Sequence, residues 1–286
     1  ASLWKGQRAV RVLKPMLQQR ILTAFFLFLF LFIAAFYFNE LLFFLFLTAI
    51  TTLAIWEWSQ LTGIASPAAR AAYSVIVIGL FVLAYFFLSN ILPVLLLLSL
   101  CFWVLAFILI LLYPAFSSVW DKKTLLALIG LPVLFPCWYG LLSLREEADF
   151  IYVFIGLFLL VGAADTGAYF AGKYLGKHKL AVRVSPNKTW EGVAGGMLCC
   201  IAVTYLYSLI QSEQNEIGFS LPALILVPFL VTSFSIIGDL FESMLKRNRN
   251  LKDSGNLLPG HGGILDRIDG VVAAAPVYLL SMQIFV

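Results

Sequence analysis

Nine apolar runs, each long enough to cross about 30 Å of hydrocarbon, dominate this chain of 286 residues. They lie near residues 21–38, 41–56, 72–88, 91–113, 124–144, 150–171, 192–211, 221–238 and 270–286. A segment in lipid must satisfy its own backbone hydrogen bonds, so it spans as a helix or as part of a closed barrel. These runs are continuously apolar rather than alternating, which selects helices. The composition is 62% hydrophobic and 12% charged, with a mean hydropathy of +0.97, more apolar surface than a soluble domain can bury. The expected fold is an all-α integral membrane protein of about nine transmembrane helices.

Lys and Arg between the runs set the orientation. With the N-terminus in the cytoplasm, 18 of the 19 basic residues fall on the cytoplasmic side, Arg145 being the exception. The other side collects Glu40, Glu146, Glu147, Asp149, Glu213 and Glu216. The C-terminus is then expected outside the cytoplasm. The chain reads as a multi-pass protein of the inner (plasma) membrane with its working face on the cytoplasmic side.

Four parts follow from loop quality. Residues 1–15, "ASLWKGQRAVRVLKP", precede Met16 and differ in texture; they read as an extension or a remnant of expression. Residues 16–120 are N-terminal membrane helices with short connections, and their Phe-rich first two runs read as lipid-facing bulk. Residues 121–171 hold the middle helices. Residues 172–286 are expected to form the functional, catalytic membrane region, with two cytoplasmic loops at 172–191 and 239–269. Cys101, Cys137, Cys199 and Cys200 all lie inside runs, lack metal-site spacing and read as packing residues. No inverted repeat suggests a transporter, and nothing calls for nucleic acid.

Three polar constellations stand out in this apolar background. Asp165, in "GAADTGAY", lies near the end of the sixth run among Gly162, Ala163, Ala164, Gly167 and Ala168. A charge there costs about 2.5–3.5 kcal/mol at the bilayer centre, so it faces a polar cavity or partner, or else rises to headgroup level. The small residues let another helix or a substrate come close. The second is "VSPNKTWEGVAGG", Val184 to Gly196. Ser185 and Pro186 are expected to turn, Asn187 and Thr189 to cap the next helix. Lys188 at that helix mouth is either an anion counter-charge or an orienting lysine of the positive-inside kind.

The third constellation joins "IIGDLFESMLKR" to the stretch ending at Asp269. Asp239 and Glu242 are three apart, as are Asp266 and Asp269, which puts each pair on one face of a helix. Like charges so placed are tolerated when a hard cation sits between them, and Mg²⁺ is the usual one beside phosphates. Lys246, Arg247, Lys252 and Arg267 supply charge for phosphate oxygens, and "PGHGG", Pro259 to Gly263, gives a backbone that wraps a ligand closely. Zinc is disfavoured, since His178 is the only other histidine and no cysteine is near. Carboxylates for Mg²⁺ and bases for phosphate, at a membrane, point to phosphoryl or nucleotidyl transfer on a lipid.

From Ser243 to Asp269 the chain reads "SMLKRNRNLKDSGNLLPGHGGILDRID", which resembles the signature of the phosphatidate cytidylyltransferases, or CDP-diacylglycerol synthases. Ser243, Lys246-Arg247, Lys252-Asp253, His261-Gly262-Gly263, Asp266-Arg267 and Asp269 all meet it. "GADTGAY"-like and "SPNKTWEG"-like segments are also similar, and "WEWSQLTG", Trp56 to Gly63, matches in the first half. The resemblance implies that CTP and phosphatidate give CDP-diacylglycerol and pyrophosphate with Mg²⁺ as cofactor. It implies Asp266 and Asp269 on the metal with Asp239, and Asp165 as a further carboxylate lining the site. Lys188, Lys246, Arg247 and Arg267 would neutralise phosphates, with Ser185, Asn187, Lys252, Gly262 and Gly263 also meeting substrate. His261 would donate a hydrogen bond or hold the loop. A homodimer stays open. A CDP-alcohol phosphotransferase is disfavoured because its "DGxxAR…GxxxDxxxD" pattern is absent. An anion transporter would spread polar residues through both faces.

Overall fold

The computed structural model describes residues 26, 29–88, 90–115, 117–120, 122–146, 149–214, 220–258 and 262–285. Residues 29–37 form helix α1. The helices that follow are α2 (Glu40–Leu61), α3 (Pro67–Phe87), α4 (Leu92–Leu111), α5 (Lys123–Ser143), α6 (Phe150–Leu175), α7 (Trp190–Gln214), α8 (Ala223–Asn248) and α9 (Leu265–Phe285). Eight of them, α2 to α9, are long and apolar enough to cross a membrane. The first expected run is described only at residue 26 and at 29–38, and it is helical at 26 and at 29–37. Residues 1–15 lie outside the described residues.

The helices begin where local chemistry satisfies their free N–H groups. Asn39 caps α2, its Oδ1 accepting from Leu42 N at 2.8 Å. Ser66 caps α3, with Pro67 in the first turn, where a missing N–H costs nothing. The helix ends differ from the apolar runs in one systematic way. Where the run ended at residue 238, α8 continues to Asn248, and α9 starts at Leu265 rather than 270. Asp239, Glu242, Lys246, Asp266 and Asp269 are therefore helical residues, not loop residues. There Lys246 pairs with Glu242 and Asp266, and Asp239 with Lys188.

The all-α expectation needs one addition. Residues of the 172–191 loop form an antiparallel hairpin, β1 (Lys179–Ala181) with β2 (Ser185–Thr189), in which Lys179 faces Thr189 and Ala181 faces Ser185. The turn is at residues 182–184, so Ser185, Pro186 and Asn187 are strand residues rather than turn or cap. Thr189 does cap, its Oγ1 accepting from Gly192 N at 3.1 Å.

Side-chain anchors lock the bundle. Trp58 Nε1 donates to Leu126 O at 2.8 Å and Tyr73 OH to Ala127 O at 2.8 Å, tying α2 and α3 to the start of α5. Phe43 is fully buried against Phe150 and Phe154, with ring centroids 5.2 and 5.7 Å away. Phe30, Phe32, Phe36, Leu41 and Leu45 remain on the outer surface. The Phe-rich runs are thus only partly lipid-facing. Arg145, the basic residue that broke the charge asymmetry, donates to Ala35 O at 3.2 Å and Phe38 O at 2.6 Å and lies over the Phe150 ring at 4.6 Å. It closes the carbonyl end of α1, which explains a cation at the end of the bundle opposite the polar cluster.

Candidate active site

A seam of small residues holds α6 against α7. A methyl group on Gly167 would stand 2.7 Å from Cys199 Cβ, one on Gly192 2.9 Å from Ala168 O, and one on Gly196 2.7 Å from Ala164 O. Backbone-to-backbone approach of this kind needs glycine, and the neighbour anticipated for Asp165 is α7. Where the seam meets the hairpin and α8, a cavity of about 590 Å³ opens, lined by Asp165, Lys173, Lys179, Asn187, Lys188 and Asp239 among others.

Inside it, Lys188 Nζ lies 2.7 Å from Asp239 Oδ2, and Ser243 Oγ donates to Asp239 Oδ1 at 3.2 Å. Asp165 has Asp239, Lys188 and Arg267 as charged neighbours. The cavity therefore carries fixed charges of both signs at the mouth of α7. Lys173 and Lys179 were missed at the level of sequence because a lysine beside a membrane helix reads first as an orienting charge.

A second cluster adjoins the first across α8 and α9. Lys246 Nζ is 2.6 Å from Asp266 Oδ1 and 3.3 Å from Glu242 Oε1. Asp266 Oδ2 accepts from Ser254 N at 2.9 Å and Gly263 N at 2.8 Å. Asp269 Oδ1 accepts from Gly270 N at 2.7 Å, and its charged neighbours are Asp239, Lys246 and Glu242. Asp239 belongs to the neighbourhood of both Asp165 and Asp269, so the two clusters form one continuous polar site.

Two close approaches fix this arrangement. At Gly238 a methyl group would stand 2.8 Å from Ala273 Cβ and would also overlap Asp269 O, so α8 and α9 touch one residue away from Asp239. Gly262 has φ +79°, a left-handed conformation natural to glycine, and Leu258 N donates to its carbonyl at 2.9 Å. Pro259, Gly260 and His261 lie outside the described residues. Of the remaining anticipated bases, Arg247 Nε donates to Val184 O at 3.4 Å, tying α8 to the hairpin turn. Lys252 and Arg267 are exposed.

The donor chemistry suits a hard cation, since every candidate ligand is a carboxylate oxygen. Both oxygens of Glu242 are buried, with Lys246 Nζ 3.3 Å from Oε1 and the Asp269 carboxylate as an acidic neighbour. Facing carboxylates of this kind repel unless positive charge separates them. Among the described residues, no group of three or more His, Cys, Asp or Glu side chains converges in a metal-binding arrangement. Asp266 in particular is already committed to Lys246 and two backbone amides.

With this geometry in view, comparison with known proteins fixes the class. The model of the cytidylyltransferase family matches residues 18–285. The chain belongs to the cytidylyltransferase family, and it is an enzyme. A phosphatidate cytidylyltransferase of Pseudomonas aeruginosa is 44% identical over 264 residues, covering 92% of this chain and 96% of the relative. One from Haemophilus influenzae is 35% identical over 286 residues, covering 92% and 97%. A third, from Bacillus subtilis, is 37% identical over 151 residues, or 52% of this chain and 54% of the relative.

Proposed function

We propose that this enzyme transfers the cytidylyl group of CTP to phosphatidate, giving CDP-diacylglycerol and pyrophosphate. One observation carries the reading beyond family membership: lysines and carboxylates share a single cavity at one end of a membrane-spanning bundle, where a water-soluble triphosphate and a lipid phosphate can meet. A phosphatidate phosphate oxygen would attack the α-phosphorus of CTP. The new P–O bond forms as the bond to the β-phosphate oxygen breaks, and the electron pair leaves with pyrophosphate. The nucleophile is already anionic, so positioning and charge neutralisation supply most of the catalysis.

Lys188 is placed to neutralise a phosphate at the cavity wall, with Asp239 orienting its ammonium. Lys246 is held by Asp266 and Glu242 and would serve a second phosphate, with Arg267 nearby. Mg²⁺, held by Asp239 and Asp269 with Asp165 adjacent, would when bound offset charge on the phosphate oxygens. Asp266 would join them only by releasing Lys246 or an amide. The basic residues gathered at this end favour a cytoplasmic orientation. The test is incubation of purified, detergent-solubilised protein with labelled CTP and phosphatidate. A labelled CDP-lipid with stoichiometric pyrophosphate is expected. Release of label from CDP-lipid onto an added alcohol, without synthesis from CTP, would overturn the reading.

A further inference from the structure

Glu57 lies on α2, in the half of the chain that carries none of the cavity residues, and it is 1% exposed. Its carboxylate accepts from three donors, all in the segment that leads into α9. Ser254 Oγ donates to Oε2 at 3.2 Å, Leu265 N to Oε2 at 2.8 Å, and Ile264 N to Oε1 at 3.0 Å. Ile264 N and Leu265 N are free donors at the head of α9, where an anion is favoured by unpaired N–H groups and by the helix dipole. A buried carboxylate in a membrane helix is costly unless partnered, and among the described residues all three of its hydrogen-bond donors come from one segment, with Arg70 as a charged neighbour.

The loop is shaped around this group. A methyl on Gly255 would stand 2.8 Å from Glu57 Cδ, and one on Gly263 2.5 Å from the same atom. Asp266 holds the same turn from the other side, through Ser254 N and Gly263 N. Two carboxylates from distant parts of the chain therefore share the donors of one turn. Asp266, with Asp269 three residues further on, lies immediately beyond it.

We propose that Glu57 is a positioning residue for the transfer reaction. By anchoring Ser254, Ile264 and Leu265 it sets where α9 begins, and so where Asp266, its partner Lys246, and Asp269 stand. The consequence for catalysis rests on the cytidylyl-transfer reading; the anchoring of the turn does not.

The experiment compares Glu57→Gln, Glu57→Asp and, as a packing control, Trp58→Phe, which removes the neighbouring hydrogen bond to Leu126 O. Gln keeps the shape but turns an NH₂ group toward backbone donors. Two readouts are taken on detergent-solubilised protein: hydrogen exchange of the 263–265 amides, and steady-state kinetics with CTP and phosphatidate. Expected for Glu57→Gln is amide exchange faster by about tenfold or more. Its kcat should fall by about 10- to 100-fold with both KM values nearly unchanged, the range a displacement of an ångström or less produces. Glu57→Asp, which retains both acceptors, should recover part of the kcat. Trp58→Phe should lower the unfolding temperature without either effect. Exchange at the wild-type rate in Glu57→Gln, an unchanged kcat, or a kcat loss equalled by Trp58→Phe would overturn the proposal. Exchange is read without turnover, so a failure of the cytidylyl-transfer reading would be told apart from a failure of this one.

Discussion

Replacing Gly238 by alanine adds a single methyl group where α8 crosses α9. That carbon would stand 2.8 Å from Ala273 Cβ and would overlap Asp269 O, whereas carbon atoms pack at about 3.5–4.0 Å. The helices must therefore part by roughly 1 Å. Overpacking of this size costs about 1–3 kcal/mol, and the helix preference of alanine over glycine returns about 0.8–1.0 kcal/mol. The net loss of stability is then only about 0–2 kcal/mol. Catalysis should suffer more, because the separation falls between Asp239 and Asp269, and 1 Å of misplacement can cost about 10²-fold, or about 2.7 kcal/mol in the barrier. Gly79→Ala is the control: nothing lies within 4 Å of its added methyl group. The assay is thermal unfolding and turnover of both variants after purification in detergent. Gly79→Ala should be unchanged or slightly stabilised, with full activity. Normal turnover in Gly238→Ala would show that the α8–α9 spacing does not set the geometry of the site.

Asp269→Asn should lower turnover by orders of magnitude with little change in unfolding temperature, since metal stabilisation of phosphoryl charge is worth several kcal/mol and each 1.36 kcal/mol is tenfold. Turnover measured against Mg²⁺ concentration checks it, and normal activity at low Mg²⁺ would remove Asp269 from the metal site. Arg145→Ala should destabilise by about 1.5–3 kcal/mol for each charged hydrogen bond lost, leaving kcat intact because the residue sits at the far end of the bundle; calorimetry beside kinetics decides. Cysteines placed at the exposed positions Lys177 and Asn256 should react with a membrane-impermeant maleimide only after the membrane is opened, if the basic face is cytoplasmic as proposed. Labelling in intact cells would reverse the orientation.

The helices α2 to α9 were legible as apolar runs because lipid imposes one solution on such a run. Their polar ends were not. Counting apolar residues stops at Asp239 and starts again after Asp269, yet both lie inside helices, where Asp239 pairs with Lys188, and Lys246 with Glu242 and Asp266. The hairpin was hidden for a related reason: "SPNKT" has little strand preference by itself, and it becomes a strand by pairing with Lys179–Ala181. The pairs Asp239 with Glu242 and Asp266 with Asp269 could be read locally, from a spacing of three. Glu57 could not. "WEWSQLTG" reveals a carboxylate just past an apolar run, but the atoms that explain it come from Ser254, Ile264 and Leu265.

Those donors are also late. Ile264 is made 207 residues after Glu57, an interval of about 10–40 s at ordinary rates of synthesis. Through that time α2 holds an acidic group in or beside the lipid before its permanent partners exist. The final helix thus does more than complete the bundle. The arrival of α9 satisfies Glu57 and brings Asp266 beside Lys246 in one step.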